Sequence, residues 1–183
     1  KIFNTKLNTI GYQSFNAALC AAAIGFYFDV PVQAVKKAVS EYSIESGKRN
    51  QLKNLNGVWI IDDTYNSNPD SVKAALENLK AYKVKGEKYI VLGDMLELGA
   101  SSKKEHKEIG KLVKKMSFKN LLTFGEASYQ TYLGAKGVKN NYHFPDKEIL
   151  GEFLTLTIKR GDVILVKGSR SMKMENIIEQ ISK

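Results

Sequence analysis

From residue 58 onward the chain alternates short apolar runs with longer helical patterns, and no other feature constrains the fold as strongly. Val58-Trp59-Ile60-Ile61, Tyr89-Ile90-Val91-Leu92, Leu121-Leu122-Thr123-Phe124, Tyr142-His143-Phe144 and Val163-Ile164-Leu165-Val166 read as buried strands. Between and after them, residues 71–82, 102–116, 126–133, 147–158 and 174–181 carry apolar residues at helical spacing. In the first of these, Val72, Ala75, Leu76 and Leu79 share one side. Strands that alternate with helices predict an α/β fold, a mostly parallel sheet covered by helices on both faces. Ahead of the first buried strand, Gln51–Leu55 alternates loosely and Asn56-Gly57 is a hairpin turn signal. The chain shows no internal repeat.

The first 42 residues follow a different rule. Phe15, Leu19, Ala22, Ala23 and Phe26 recur at helical spacing over 12–28, and Pro31 opens a second helix running to about Tyr42. Together they predict a compact helical hairpin. Residues 43–48 are polar and contain Gly47, a candidate linker between domains 1–46 and 47–183. The apolar stretch 17–28 is too short to span a bilayer, so no membrane insertion is expected. The chain opens Lys1-Ile2-Phe3 without an initiator methionine or a signal segment, which is the expectation for a piece of a longer cytoplasmic protein.

Charge and cysteine content narrow the chemistry. Lysine and arginine number 28 against 19 aspartates and glutamates, a formal net charge of +9. The lysines are scattered in pairs, and the arginines are only Arg49, Arg160 and Arg170. Nucleic-acid recognition favours arginine forks and aromatic platforms, so no nucleic-acid partner is expected. The surplus is expected to surround a site for small anionic ligands instead. Cys20 is the single cysteine and excludes an intramolecular disulfide; it is expected to be buried and inert. His106 and His143 are the only histidines, too few for a histidine-rich metal site. No metal ligand set and no nucleophilic triad is legible.

In a parallel α/β sheet, ligands bind outside the carboxyl ends of the strands. Three loops there carry chemistry. Asp62-Asp63-Thr64-Tyr65-Asn66-Ser67-Asn68-Pro69-Asp70-Ser71 holds two adjacent carboxylates at a strand end. Turn and capping chemistry explains Asn68 to Ser71, and Asp63 suits either a ribose hydroxyl or a Mg²⁺ ion. Gly93-Asp94-Met95-Leu96-Glu97-Leu98-Gly99 is no phosphate loop, but Asp94 and Glu97 suit a cationic group. Lys167-Gly168-Ser169-Arg170-Ser171-Met172 precedes a helix start, where backbone N–H groups and the helix dipole favour a carboxylate or phosphate.

The three stretches together, extended to Leu92 and to Val166 through Glu175, resemble the C-terminal half of the Mur ligase family. Asn16-Ala17-Ala18 in the first helix and Gly47-Lys48-Arg49 at the linker add to the resemblance, which covers nearly the whole chain in the family's order. Within the family the residues are most similar to the branch that adds D-alanyl-D-alanine. The resemblance implies a Rossmann-like domain preceded by the helical end of a central ATPase domain. It implies an ATP- and Mg²⁺-dependent reaction of peptidoglycan precursor synthesis in a bacterial cytoplasm. There a carboxylate of UDP-N-acetylmuramoyl tripeptide becomes an acyl phosphate, and the amine of D-alanyl-D-alanine displaces phosphate. A monomer is expected. The alternative is a non-catalytic nucleotide-binding module of the same topology.

Carried over residue by residue, the resemblance assigns Asn16, Arg49, Asp63, Tyr65 and Asn66 to ATP. It assigns Asp94, Glu97, Lys167, Ser169 and Arg170 to the dipeptide or the reacting carboxylate. Gln13 stands where many relatives have histidine, and Lys48 where a hydrophobic residue is common. The chain contains no Gly-x-x-x-x-Gly-Lys-Ser/Thr. In the family that loop, the modified lysine and the main Mg²⁺ ligands lie upstream. No catalytic residue is therefore assigned here, and the isolated 183 residues are expected to lack ligase activity.

Overall fold

The computed structural model describes residues 3–7, 12–42 and 51–182. It divides into two compact units, Lys1–Ser46 and Gly47–Lys183. The expected linker, with Gly47, Lys48 and Arg49, lies outside the described residues, as does the side chain of Gln13.

The first unit holds two helices, α1 (Tyr12–Tyr27) and α2 (Val32–Glu41). Among its described residues, Ala22 and Val35 are the buried hydrophobics. Val35 packs against Gly25, where a Cβ would lie 3.0 Å from its side chain. Two helices can cover only one face of each other, so Phe15 and Leu19 remain exposed within the unit. Cys20 is exposed as well, against the expectation of a buried thiol, because it lies off the narrow α1–α2 seam.

The second unit opens with the hairpin that Asn56-Gly57 predicts. Strand β1 (Gln51–Leu55) pairs antiparallel with β2 (Val58–Asp63). Asn56 and Gly57 both take positive φ, 52° and 90°, the conformation a two-residue turn of this hand demands. The chain then continues through α3 (Pro69–Ala81), β3 (Lys88–Leu92), α4 (Ser102–Lys115), β4 (Asn120–Phe124) and α5 (Ser128–Gly134). It ends with β5 (Asn140–Phe144), α6 (Lys147–Thr157), β6 (Val163–Lys167) and α7 (Glu175–Ile181).

The six strands form one sheet in the order β1-β2-β6-β3-β4-β5, and every pair except β1–β2 is parallel. Strand side chains alternate between two cores. Ile61, Ile90, Leu121 and Leu165 face a cluster built with α3 and α4. Ile60, Val91, Leu122 and Ile164 face one built with α6 and α7. Each such side chain contributes roughly 1.5–3 kcal/mol on burial. The chain steps outward from β3 to β5 with α4 against the first core and returns to β6 through α6 on the second. Right-handed crossovers require that change of face. The return seats β6 between β2 and β3, so the loops leaving these neighbours diverge and open a crevice at their carboxyl ends.

Candidate functional site

Strand pairing builds the floor of the crevice. Lys167, the last residue of β6, is in register with Asp63 of β2 on one side and Leu92 of β3 on the other. Parallel neighbours in register point to the same face, so Lys167 and Asp63 meet side by side. The Lys167 ammonium donates to Asp63 Oδ2 at 2.7 Å and to the Asn66 carbonyl oxygen at 2.7 Å. The two side chains are 2% and 5% exposed, a fully buried ion pair. It ties the end of β2 and the following loop to β6.

The family resemblance implies nucleotide for Asp63 and the dipeptide or the reacting carboxylate for Lys167. The structure joins them, because a buried cation on the central strand requires a carboxylate on its neighbour. Beside them Asp62 turns the other way. Its carboxylate accepts from Thr64 N and Oγ1 and pairs with Lys53 at 2.6 Å. Tyr65 and Asn66 then stand exposed at the rim, with Asn66 Oδ1 accepting from Ser67 N. Asn68 caps α3 through a reciprocal bond with Ser71.

Ser169 is the second knot. It is buried, its Oγ accepts from Leu96 N at 2.8 Å, and its N–H donates to the Asp94 carbonyl oxygen. Its hydroxyl lies 3.4 Å from the Ser67 carbonyl oxygen. The loops after β2, β3 and β6 therefore meet at this one side chain. The buried hydroxyl of Ser67, one residue from exposed Asn66, has no hydrogen-bond partner among the described residues. It is a polar atom available to a ligand entering the crevice.

Asp94, expected to meet a substrate ammonium, is engaged within the fold. Its carboxylate turns inward and accepts from the backbone N–H groups of Ser128 at 2.7 Å and Ala127 at 3.2 Å, closing the start of α5. A carboxylate is stabilised there by the unpaired N–H groups and the helix dipole. Gly125 permits this approach: its φ is 111°, and a Cβ would sit 2.4 Å from Asp94 Oδ1. Glu97 is the carboxylate this loop exposes, at a φ of 63°.

His106 of α4 holds the same loop from beneath. Buried to 1% exposure, its Nε2 accepts from Met95 N at 2.9 Å, and its Nδ1 lies 2.9 Å from the Ser102 carbonyl oxygen. The Met95 N–H requires a lone pair on Nε2, which places the proton on Nδ1. The signal legible in sequence was its polarity on the apolar stripe of a helix.

In the basic loop the cation has a partner within the chain. Arg170 is exposed and pairs with Glu175 at 2.7 Å, and Glu175 fills the first turn of α7. The anion expected at that helix start is thus supplied by the chain itself. Met174 packs where a Cβ on Gly93 or Gly168 would stand, 2.7 and 2.6 Å away, closing the crevice floor. Asn16 is exposed on α1 in the first unit, and Arg49 lies outside the described residues.

The excess positive charge does not surround this crevice. Lys167 is sequestered by Asp63 and Arg170 is paired, while Asp94 and Glu97 lie in the loop after β3 and Glu175 at the start of α7. Many of the exposed lysines lie instead in loops at the opposite edge of the sheet. Among the described residues, no group of three or more His, Cys, Asp or Glu side chains is placed to hold a metal ion. Nor is any helix among them long and apolar enough to cross a membrane.

Comparison with known proteins supplies the context for this geometry. Residues 48–170 match the family described as Mur ligase, glutamate ligase domain. A UDP-N-acetylmuramoyl-tripeptide–D-alanyl-D-alanine ligase of Buchnera aphidicola subsp. Acyrthosiphon pisum is 34% identical over 182 residues, spanning 98% of this chain and 39% of that protein. The ligase of the same name from Bacillus subtilis is 31% identical over 175 residues, spanning 94% of this chain and 38% of its own length. A MurF ligase from Thermotoga maritima, solved in complex with ADP, superposes with a TM-score of 0.85 at 25% identity. That superposition covers 98% of this chain and 40% of the other. The chain thus spans well under half the length of the relatives it matches.

Proposed function

The chain belongs to the Mur ligase family, and from that membership we propose that it forms the C-terminal part of an ATP-dependent ligase. That ligase joins D-alanyl-D-alanine to UDP-N-acetylmuramoyl tripeptide in the bacterial cytoplasm. The observation that carries this reading is the crevice at β2, β6 and β3. It gathers the three strand-end loops in a chain similar over nearly its whole length to ligases of that name.

In this reading a tripeptide carboxylate oxygen attacks the γ-phosphorus of ATP, and ADP departs. The dipeptide amine then attacks the acyl carbon, an amide bond forms, and phosphate leaves with one oxygen from the original carboxylate. The residues of this chain bind and orient. Tyr65 and Asn66 offer a ring and an amide at the exposed end of β2, with the Ser67 hydroxyl beneath them. Asp63 and Lys167 hold that loop in place. Glu97 offers a carboxylate to the dipeptide ammonium, and Arg170 a planar fork to a carboxylate. Asn16 and Arg49 belong to the ATP side. No group of three or more His, Cys, Asp or Glu side chains among the described residues is placed for a metal ion, and no step is assigned to Mg²⁺ here.

The test follows the oxygen. The full-length protein containing this chain is given tripeptide substrate with an ¹⁸O-labelled carboxylate, ATP and D-alanyl-D-alanine. One labelled oxygen in the released phosphate is expected. Amide formation with unlabelled phosphate would overturn the acyl-phosphate route.

A further inference from the structure

Most of the chain's surplus charge lies on the second unit, where cations collect at one edge of the sheet. Four loops enter parallel strands at the amino edge of the sheet, opposite the crevice. Each carries exposed cations: Lys83 and Lys85 before β3, Lys119 before β4, Lys136 and Lys139 before β5, Lys159 and Arg160 before β6. Helices run antiparallel to the strands they connect, so the last turns of α3 and α4 add Lys80, Lys114 and Lys115 at this edge, and β3 begins with Lys88. Arg160 also reaches the β1–β2 turn, where a Cβ on Gly57 would lie 2.5 Å from its side chain.

The carboxylates of this edge do not balance these cations. Asp162 is 5% exposed, and its oxygens accept from the backbone N–H groups of Glu87 and Lys159 at 2.7 and 2.8 Å. Glu87 pairs with Lys119 at 3.4 Å. With Glu179 in the last turn of α7 counted beside these two, the eleven cations named still outnumber the carboxylates of this edge by eight. Helix dipoles account for Lys80, Lys114 and Lys115 at helix ends. They do not account for the seven in the loops. Crowding has a local cost: burial, with the neighbouring Lys80 charge, holds the Lys88 ammonium below its ordinary range.

We propose that this basic rim docks the protein peripherally on an anionic phospholipid surface. The loops before β6, β3, β4 and β5 occupy four adjacent strand positions, a row on the order of 15 Å wide at the usual strand spacing. That is a plane of cations rather than a groove, and each lysine near a surface of anionic headgroups adds to the attraction. The rim lacks the features that favour nucleic acid. Among the described residues Arg160 is its only arginine, and the rings of Tyr82 and Phe118 are partly or fully buried. Docking at this edge leaves the crevice facing away from the surface. The inference needs neither nucleotide nor turnover and stands apart from the ligase reading.

Cosedimentation of the whole chain with vesicles tests it. Binding is expected to phosphatidylglycerol–phosphatidylethanolamine vesicles and not to phosphatidylcholine vesicles. Salt at about 1 M, where the screening length is about 3 Å, should release it. The exposed-site variants Lys83→Glu/Lys85→Glu and Lys136→Glu/Lys139→Glu should each lose about tenfold or more in partitioning. Lys103→Glu/Lys104→Glu, an equal charge change at the other end of α4, should bind like the parent. Circular dichroism confirms that all three fold. Absence of a preference for anionic vesicles, an equal loss in the α4 control, or displacement from vesicles by duplex DNA at matched phosphate would each overturn the proposal.

Discussion

Lys167 is the side chain on which the crevice depends most. The sequence shows a lysine after a buried strand and an aspartate after another, and chemistry alone sends each toward a ligand. What it does not show is that β6 inserts beside β2, since their neighbourhood is set by a crossover spanning about a hundred residues. Lys167→Met takes the ammonium away from the buried Asp63 carboxylate. It should lower unfolding stability by about 3–5 kcal/mol in urea titration, whereas Asp63→Leu/Lys167→Met should recover most of that loss. A double variant no more stable than the single one would contradict a paired role. Asp94 illustrates the same limit, because its partners belong to the next helix. Titration adds a smaller effect. Burial holds the His143 imidazole below its ordinary value, against the nearby Asp94 charge. The unfolded chain then takes up the proton at higher pH than the folded one, so stability is lost as pH falls below about 6.5. His143→Asn should flatten the difference in melting temperature between about pH 7.5 and pH 5.5.

At the scale of elements, much of the fold was legible because the signals are local. The apolar runs became β2 through β6, and Asn56-Gly57 became the β1–β2 turn. Asn68, Pro69 and Ser71 became the start of α3, with the cap side chain accepting from Ser71 N at 2.8 Å. Asn68→Ala should therefore cost about 1 kcal/mol in chemical denaturation, and Asn68→Ser should restore most of it. The loop after β4 rests on a less visible signal. Gly125 combines positive φ with the absence of a Cβ beside Asp94. Gly125→Ala should destabilise by more than about 1 kcal/mol, and pairing it with Asp94→Ala should cost less than the sum. The helix expected after the basic loop 167–172 forms as α7, and its first turn carries a carboxylate of the chain, Glu175, paired with Arg170.

The whole molecule separates its chemistry between two edges of one sheet. The carboxyl edge holds the paired, hydrogen-bonded crevice, and the amino edge holds the charge surplus. Composition revealed the surplus but not its side, because the lysines of that edge come from loops distant in sequence. Membership of the Mur ligase family follows from the match over residues 48–170, and the choice of amine is the central claim built upon it. Phosphate release by the full-length protein containing this chain tests that claim most directly, with ATP, UDP-N-acetylmuramoyl tripeptide and one candidate amine at a time. Release is expected with D-alanyl-D-alanine and only when all three substrates are present. Release supported equally by a single amino acid such as D-glutamate, or release that needs no amine, would contradict it.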